Sequence, residues 1–173
     1  DLQRGIIDRF KSLPTVSWGV LMGHVTADLV RNILQSTIMI GVGLAVGFRP
    51  AASVTDWLLI AGIVLLFTFA ISWVAAIMGL LSKSVEAVQW MGFFVVFPLT
   101  FASAAFVPTN TMPGWLQIFA KHQPVTQVIE AIRALMIGAP LENHGIASVI
   151  WCVSIAVIAI PVAGFLFRRH TGR

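Results

Sequence analysis

WLLIAGIVLLFTFAISWVAAIMGLL, residues 57–81, runs its whole length without a charge. A hydrocarbon core about 30 Å thick takes ~20 helical residues to cross. Within lipid every backbone N–H and C=O must be bonded inside the protein, which leaves only helices and closed barrels. Barrel strands alternate polar and apolar residues over roughly ten positions, and this run does not alternate. It is a helix, and the rest of the chain has to be arranged around it.

Three further segments share its character. Residues 25–48 are the least pure, with Asp28, Arg31 and Asn32 in their opening turns. Residues 88–107 hold only Gln89 near one end, and residues 145–167 are uncharged. Hydrophobic residues make up 58% of the chain and charged residues 10%, too little charge to solvate a water-soluble domain of this length. The net charge of +4 is thinly spread, which suits loops beside a membrane and argues against a nucleic-acid partner. The single cysteine, Cys152, precludes an internal disulfide and a Cys-rich metal site. The expected architecture is an all-α membrane domain, 1–173, with four transmembrane helices. The chain opens at Asp1 without Met or signal peptide and reads as part of a longer protein.

Basic residues orient the spans. Arg4, Arg9 and Lys11 precede the first, Lys83 separates the second from the third, and Arg168, Arg169 and Arg173 follow the last. Arg49, Lys121 and Arg133 fall on the other side. The excess predicts a multi-pass cell-membrane protein with both termini of this chain in the cytoplasm. Trp18, Trp57 and Trp90 fall at span ends, where amphipathic rings favour the interface.

Two segments are amphipathic but do not span. On the outer side, within residues 108–140, Pro113 and Pro124 each suit the first turn of a helix. From Val125 an apolar stripe recurs at 125, 128, 129, 132, 135 and 136, with Gln127, Glu130 and Arg133 opposite and Gly138 as terminator. A shorter helix groups Trp115, Leu116 and Phe119, with Lys121 and His122 beside its last carbonyls. A re-entrant hairpin and a lid lying on the surface fit this pattern equally. On the inner side, within residues 1–14, Ile6, Ile7, Phe10 and Leu13 stand at helical spacing among Arg4, Asp8, Arg9 and Lys11, and Pro14 ends the run. Such a helix anchors to anionic membrane lipid or meets a cytoplasmic partner.

Other constellations carry less chemistry. His24, Asp28 and Arg31 share a helix face, but no further ligands converge on them, so no metal site is expected. Asp28 and Arg31 are expected to pair at the inner interface, where Arg31 can snorkel. No catalytic residue is assigned: Ser72, Ser103 and Ser154 lie in spans, whereas the histidines lie at ends and in loops. Phe67, Trp73, Phe94 and Phe97 are candidates for lining a pathway for a large planar or amphiphilic substrate, with bundle packing the alternative. Gly43 and Gly47 have the small-xxx-small spacing of a helix contact, and Pro98 and Pro161 are expected to kink their spans.

RGIIDRFKSLP, then a span opening ADLVRN, then FVPTNTMPGWLQIFAKHQPVTQVIEAIRALMIG before a last span ending in arginines, together resemble ABC-2 type transporter permeases. Within these the chain is most similar to the daunorubicin/doxorubicin-resistance branch of bacterial drug exporters. The resemblance implies a six-span permease of which this chain supplies the third to the sixth. It gives Arg4, Ile6, Ile7, Asp8, Arg9, Phe10 and Leu13 to a coupling helix that docks on an ATP-binding subunit. It gives Pro113, Trp115, His122, Pro124, Glu130 and Arg133 to re-entrant helices that close the outer end of the pathway. It also implies a second permease chain, homo- or heteromeric. No G-x-x-x-x-G-K-[ST] occurs, so ATP and Mg²⁺ belong on the partner and the permease itself is not an enzyme. The implied cargo is a drug or lipid. Polysaccharide or another lipid-linked polymer is the alternative, with an intramembrane enzyme or a membrane scaffold as readings from other classes.

Overall fold

Ser53 caps the helix that carries the uncharged run with a capping box: its Oγ accepts from the Asp56 N–H at 3.3 Å, and Asp56 Oδ2 accepts from the Ser53 N–H at 2.8 Å. Two otherwise orphaned donors are satisfied where the chain enters its apolar run. A computed structural model describes residues 17–82, 84–106 and 111–171. Among them the extended elements are all helices: α1 (Ser17–Ala45), α2 (Val54–Leu81), α3 (Val85–Phe101), α4 (Gly114–His122), α5 (Pro124–Ile137) and α6 (His144–Thr171). The expected inner helix, with Arg4, Ile6, Ile7, Asp8, Arg9, Phe10 and Leu13, lies outside the described residues. So do Lys83 and Arg173.

Two helices, Val54–Leu81 and His144–Arg169, are long and apolar enough to cross a membrane. They form the spine of the fold. Ser148, Cys152, Ala156, Ala159 and Ala163 make a buried stripe of small residues along α6. Against it α2 sets Ile60, Ile63, Ala70 and Trp73. Close approach over small side chains is how apolar helices associate when lipid removes the hydrophobic drive between them. α5 joins this core through Val128, Ala131 and Leu135, and α1 joins through Val25, which packs with Trp73, Ala159 and Ala163.

Glycines of α1 and α2, including the expected pair Gly43 and Gly47, make no such contact among the described residues. A Cβ added at Gly41, Gly43 or Gly79 would meet nothing within 4 Å, and Gly47 lies beyond α1 in a turn at φ +103°. The contact is made instead by alanines, a serine and a cysteine on α6, which keep better helix propensity than glycine.

Span limits also moved. α3 ends at Phe101, within a turn of Pro98, rather than at residue 107. At 1.5 Å per residue its 17 residues extend about 25 Å, short of a full hydrocarbon core. No residue of α3 is buried. α6, by contrast, runs on through Pro161 to Thr171.

Candidate functional site

The unwound end of α3 is where the outer helices attach. Beyond Phe101 the chain turns, with Ser103 Oγ donating to the Thr100 carbonyl at 2.6 Å and accepting from the Ala105 N–H at 3.1 Å. The backbone groups freed by this turn are taken up by side chains at the start and middle of α5. Gln123 Nε2 donates to the Ala102 carbonyl at 2.6 Å, the Ala104 N–H donates to Thr126 Oγ1 at 3.2 Å, and Arg133 Nη2 donates to the Ala104 carbonyl at 3.0 Å. Irregular backbone is tolerated beside lipid only when protein satisfies it in this manner. Arg133 Nη1 also meets Glu130 Oε1 at 2.9 Å.

A second set of bonds ties the outer pair to α6. Gln127 Nε2 donates to the Lys121 carbonyl at the end of α4, and His144 Nδ1 donates to Gln127 Oε1 at 2.8 Å. The loop before α2 docks as well, the Ala51 N–H bonding to the Met136 carbonyl at 2.9 Å. Gly138 ends α5 at φ +71°, the left-handed C-cap that glycine adopts without strain. The polar face of α5 is thus turned into protein, with Thr126 and Gln127 buried.

The expected gate residues divide between roles. Pro124 takes the first helical position of α5, while Pro113 stands one place earlier than expected, as the N-cap of α4. Glu130 and Arg133 belong to the junction. Trp115 is 76% exposed, and His122 is exposed with its Nδ1 donating to the Ile118 carbonyl at 2.8 Å. Sequence reasoning missed Gln123 and Thr126. Their signal was present, because 123, 126, 127, 130 and 133 form one polar face at helical spacing.

A cleft of about 290 Å³ opens between α1 and α2. Asp28, Arg31, Asn32 and Gln35 form one wall, and Phe67, Thr68, Ile71, Ser72 and Ala75 form the other. The expectation for Asp28 and Arg31 needs correcting twice. The first span was expected to begin at residue 25, with these charges in its opening turns, whereas α1 begins by Ser17. Arg31 is therefore at the midpoint of α1, opposite the middle of α2, and not in its opening turns. Nor do the two side chains form an ion pair among the described residues. Arg133 differs because the Ala104 carbonyl fixes its guanidinium beside Glu130; nothing comparable holds Arg31. A charged side chain at a helix centre costs about 2.5–3.5 kcal/mol on insertion scales, so lipid is the wrong medium for this wall.

The aromatic candidates also separate. Trp73 is fully buried in the contact of α1, α2 and α6 and packs edge-on to Phe69, so it is a core residue and lines no open pathway. Phe67 lines the cleft. Phe94 and Phe97 stand exposed on α3 within a chain of ring contacts, from Trp90 through Phe93 and Phe97 to Phe101 and Phe106.

Residues 1–137 match the family described as ABC-2 type transporter. The chain is 30% identical over 171 residues to the daunorubicin resistance ABC transporter permease protein DrrB1 of Streptomyces coeruleorubidus, covering 98% of this chain and 60% of that protein. It is 28% identical over 160 residues to a probable doxorubicin resistance ABC transporter permease protein DrrC of Mycobacterium tuberculosis, covering 92% and 58%. It is also 28% identical over 154 residues to nodulation protein J of Rhizobium meliloti, covering 87% and 58%. The chain thus spans about three fifths of the length of these relatives. No solved structure matches it. Two helices long and apolar enough to cross a membrane, a family match over most of the chain and two relatives named as permeases lead to one assignment: the chain belongs to the ABC-2 type transporter family.

Proposed function

We propose that the chain is the main part of a transmembrane permease subunit of an ATP-driven exporter. Its cargo is a hydrophobic or amphiphilic compound, of the kind named in two relatives as daunorubicin and doxorubicin. The observation that carries this reading is the outer pair α4–α5, bonded to the unwound end of α3 beside two helices long enough to cross a membrane. Helices that enter without crossing belong where protein or a water-filled path receives their polar face, and the polar face of α5 is received by the turn after α3 and by the start of α6.

On this reading α1, α2, α3 and α6 are four spans of the cell membrane, with both termini of the chain in the cytoplasm and α4–α5 as the outer gate. A second permease chain completes the pathway. ATP and Mg²⁺ are bound by a separate subunit, and its closure presses on residues 4–13. The push is transmitted through α1 to the bundle, which alternates between inward and outward exposure.

The ladder of exposed rings on α3 favours a second cargo, a lipid-linked polysaccharide, since stacked rings can track a sugar polymer. Transport assays on one reconstituted assembly, offered each cargo in turn, discriminate the two.

Co-purification tests the partnership. The intact permease is expected to bring down a soluble ATPase, and the triple change Ile6→Asp, Phe10→Asp, Leu13→Asp is expected to abolish that recovery. An ATPase retained by the triple variant overturns the coupling role of residues 4–13. Transport by the permease without any ATPase overturns the exporter reading.

A further inference from the structure

We propose that the cleft between α1 and α2 is a hydrated binding site for an amphiphile whose head combines an ammonium group with hydrogen-bonding oxygens. The inference rests on the exporter reading and goes beyond it by naming a site and a head-group chemistry.

The cleft is built for such a head. Thr68 Oγ1 turns back to the Val64 carbonyl at 2.8 Å, the usual arrangement for a hydroxyl inside a helix. Ser72, one turn further and only 7% exposed, lines the cleft, and its hydroxyl meets no partner among the described residues. Asp28 is half-buried, and its carboxylate too lacks an ion pair among them. A hydroxyl that opens into the cleft and an uncompensated carboxylate facing it call for a polar guest or water. Asp28 is the acceptor for an ammonium. Arg31, Asn32 and Gln35 offer donors to oxygens on the same head. Phe67 supplies an apolar wall for the body of the ligand. A volume of about 290 Å³ admits the head and the first part of that body, near the lower end of ordinary ligand pockets.

Lipid amines and cationic aromatic drugs share this chemistry, so the test carries both. Ser72→Cys and Asn32→Cys are introduced singly into the intact permease, assembled with its ATP-binding subunit in vesicles. Each is exposed to a membrane-impermeant thiol reagent on both sides of the membrane. Cys152 is fully buried and remains as a silent background. Met39→Cys, 75% exposed on the apolar part of α1, is the control for a position without water.

Both cleft positions are expected to label at least tenfold faster than the control. Lysophosphatidylethanolamine or the planar amine quinacrine is expected to protect them, and Asp28→Asn is expected to remove the protection. Protection by the lysolipid alone assigns the cleft to lipid and by quinacrine alone to a drug; either supports the site. Lysophosphatidylglycerol, which has no ammonium, is expected to protect poorly. Labelling no faster than the control means that another helix seals the cleft, and overturns the proposal. Labelling that neither amine blocks, or protection undiminished by Asp28→Asn, overturns it as well. Transport by the unmodified assembly is read on the same vesicles, so the exporter reading can stand or fall separately.

Discussion

Arg133 has two partners of different worth. Its bond to the Ala104 carbonyl satisfies a backbone group that α3 can no longer satisfy, whereas its contact with Glu130 is an ion pair with the Arg133 side chain 46% exposed. A hydrogen bond from a charged donor contributes about 1.5–3 kcal/mol, and a solvated ion pair about 0.2–1 kcal/mol. The backbone bond should therefore dominate. Thermal unfolding of the purified protein should show Arg133→Ala losing about 2 kcal/mol, and Glu130→Gln less than about 1 kcal/mol. Equal losses would mean that the ion pair, and not the capture of α3, is what Arg133 is for. Both residues could be singled out in the sequence, because charges opposite an apolar stripe are visible there. Their partner could not, since Ala104 contributes only a carbonyl and no pattern of side chains announces a backbone group that will be left over.

At the scale of helices, the small-residue stripe of α6 sets how closely α2 approaches. Ala159 and Ala163 sit against Trp73, and neither exposes more than a few per cent of its surface. Inserting methylenes there forces side chains off their rotamers or the helices apart, at about 1–3 kcal/mol. Ala159→Leu should lower the unfolding temperature clearly, while Val157→Leu, on the exposed side of the same helix, should leave it nearly unchanged. If the two variants melt together, α2 and α6 are not held by this contact. The existence of these helices was plain from uncharged runs, as were the start of α5 at Pro124 and its end at Gly138. Which face of each helix met which neighbour was not. Residues 145–167 are apolar all round, so hydrophobicity carries no facing information, and size, the property that does, points to α6 only once α2 is known to lie beside it. α1 misled for a related reason. Asp28, Arg31 and Asn32 were expected in the opening turns of a span beginning at residue 25, yet the helix begins eight residues earlier.

For the whole molecule, the outer layer is bonded to three different parts of the bundle: to the end of α3 through Gln123, Thr126 and Arg133, to α6 through Gln127 and His144, and to the loop before α2 through Ala51. On the proposed exporter reading this layer is a gate, and a gate that moves during transport must loosen at least one of these attachments. The third can be fixed deliberately. A Cβ built at Gly138 lies 3.5 Å from that of Ala51, within the range that a disulfide spans, and both positions are exposed to an oxidant. A side chain at φ +71° costs about 1–2 kcal/mol, which a folded bundle can absorb. In the reconstituted assembly, Ala51→Cys with Gly138→Cys should form the crosslink on oxidation, scored by loss of free thiol. Crosslinking should then arrest ATP-driven transport while leaving the ATPase subunit bound, and reductant should restore it. The single variants, oxidised in parallel, should transport normally. Undiminished transport with the crosslink complete would show that the α2 loop and α5 travel as one body, and the moving joint would then have to be sought where Arg133 grips the end of α3.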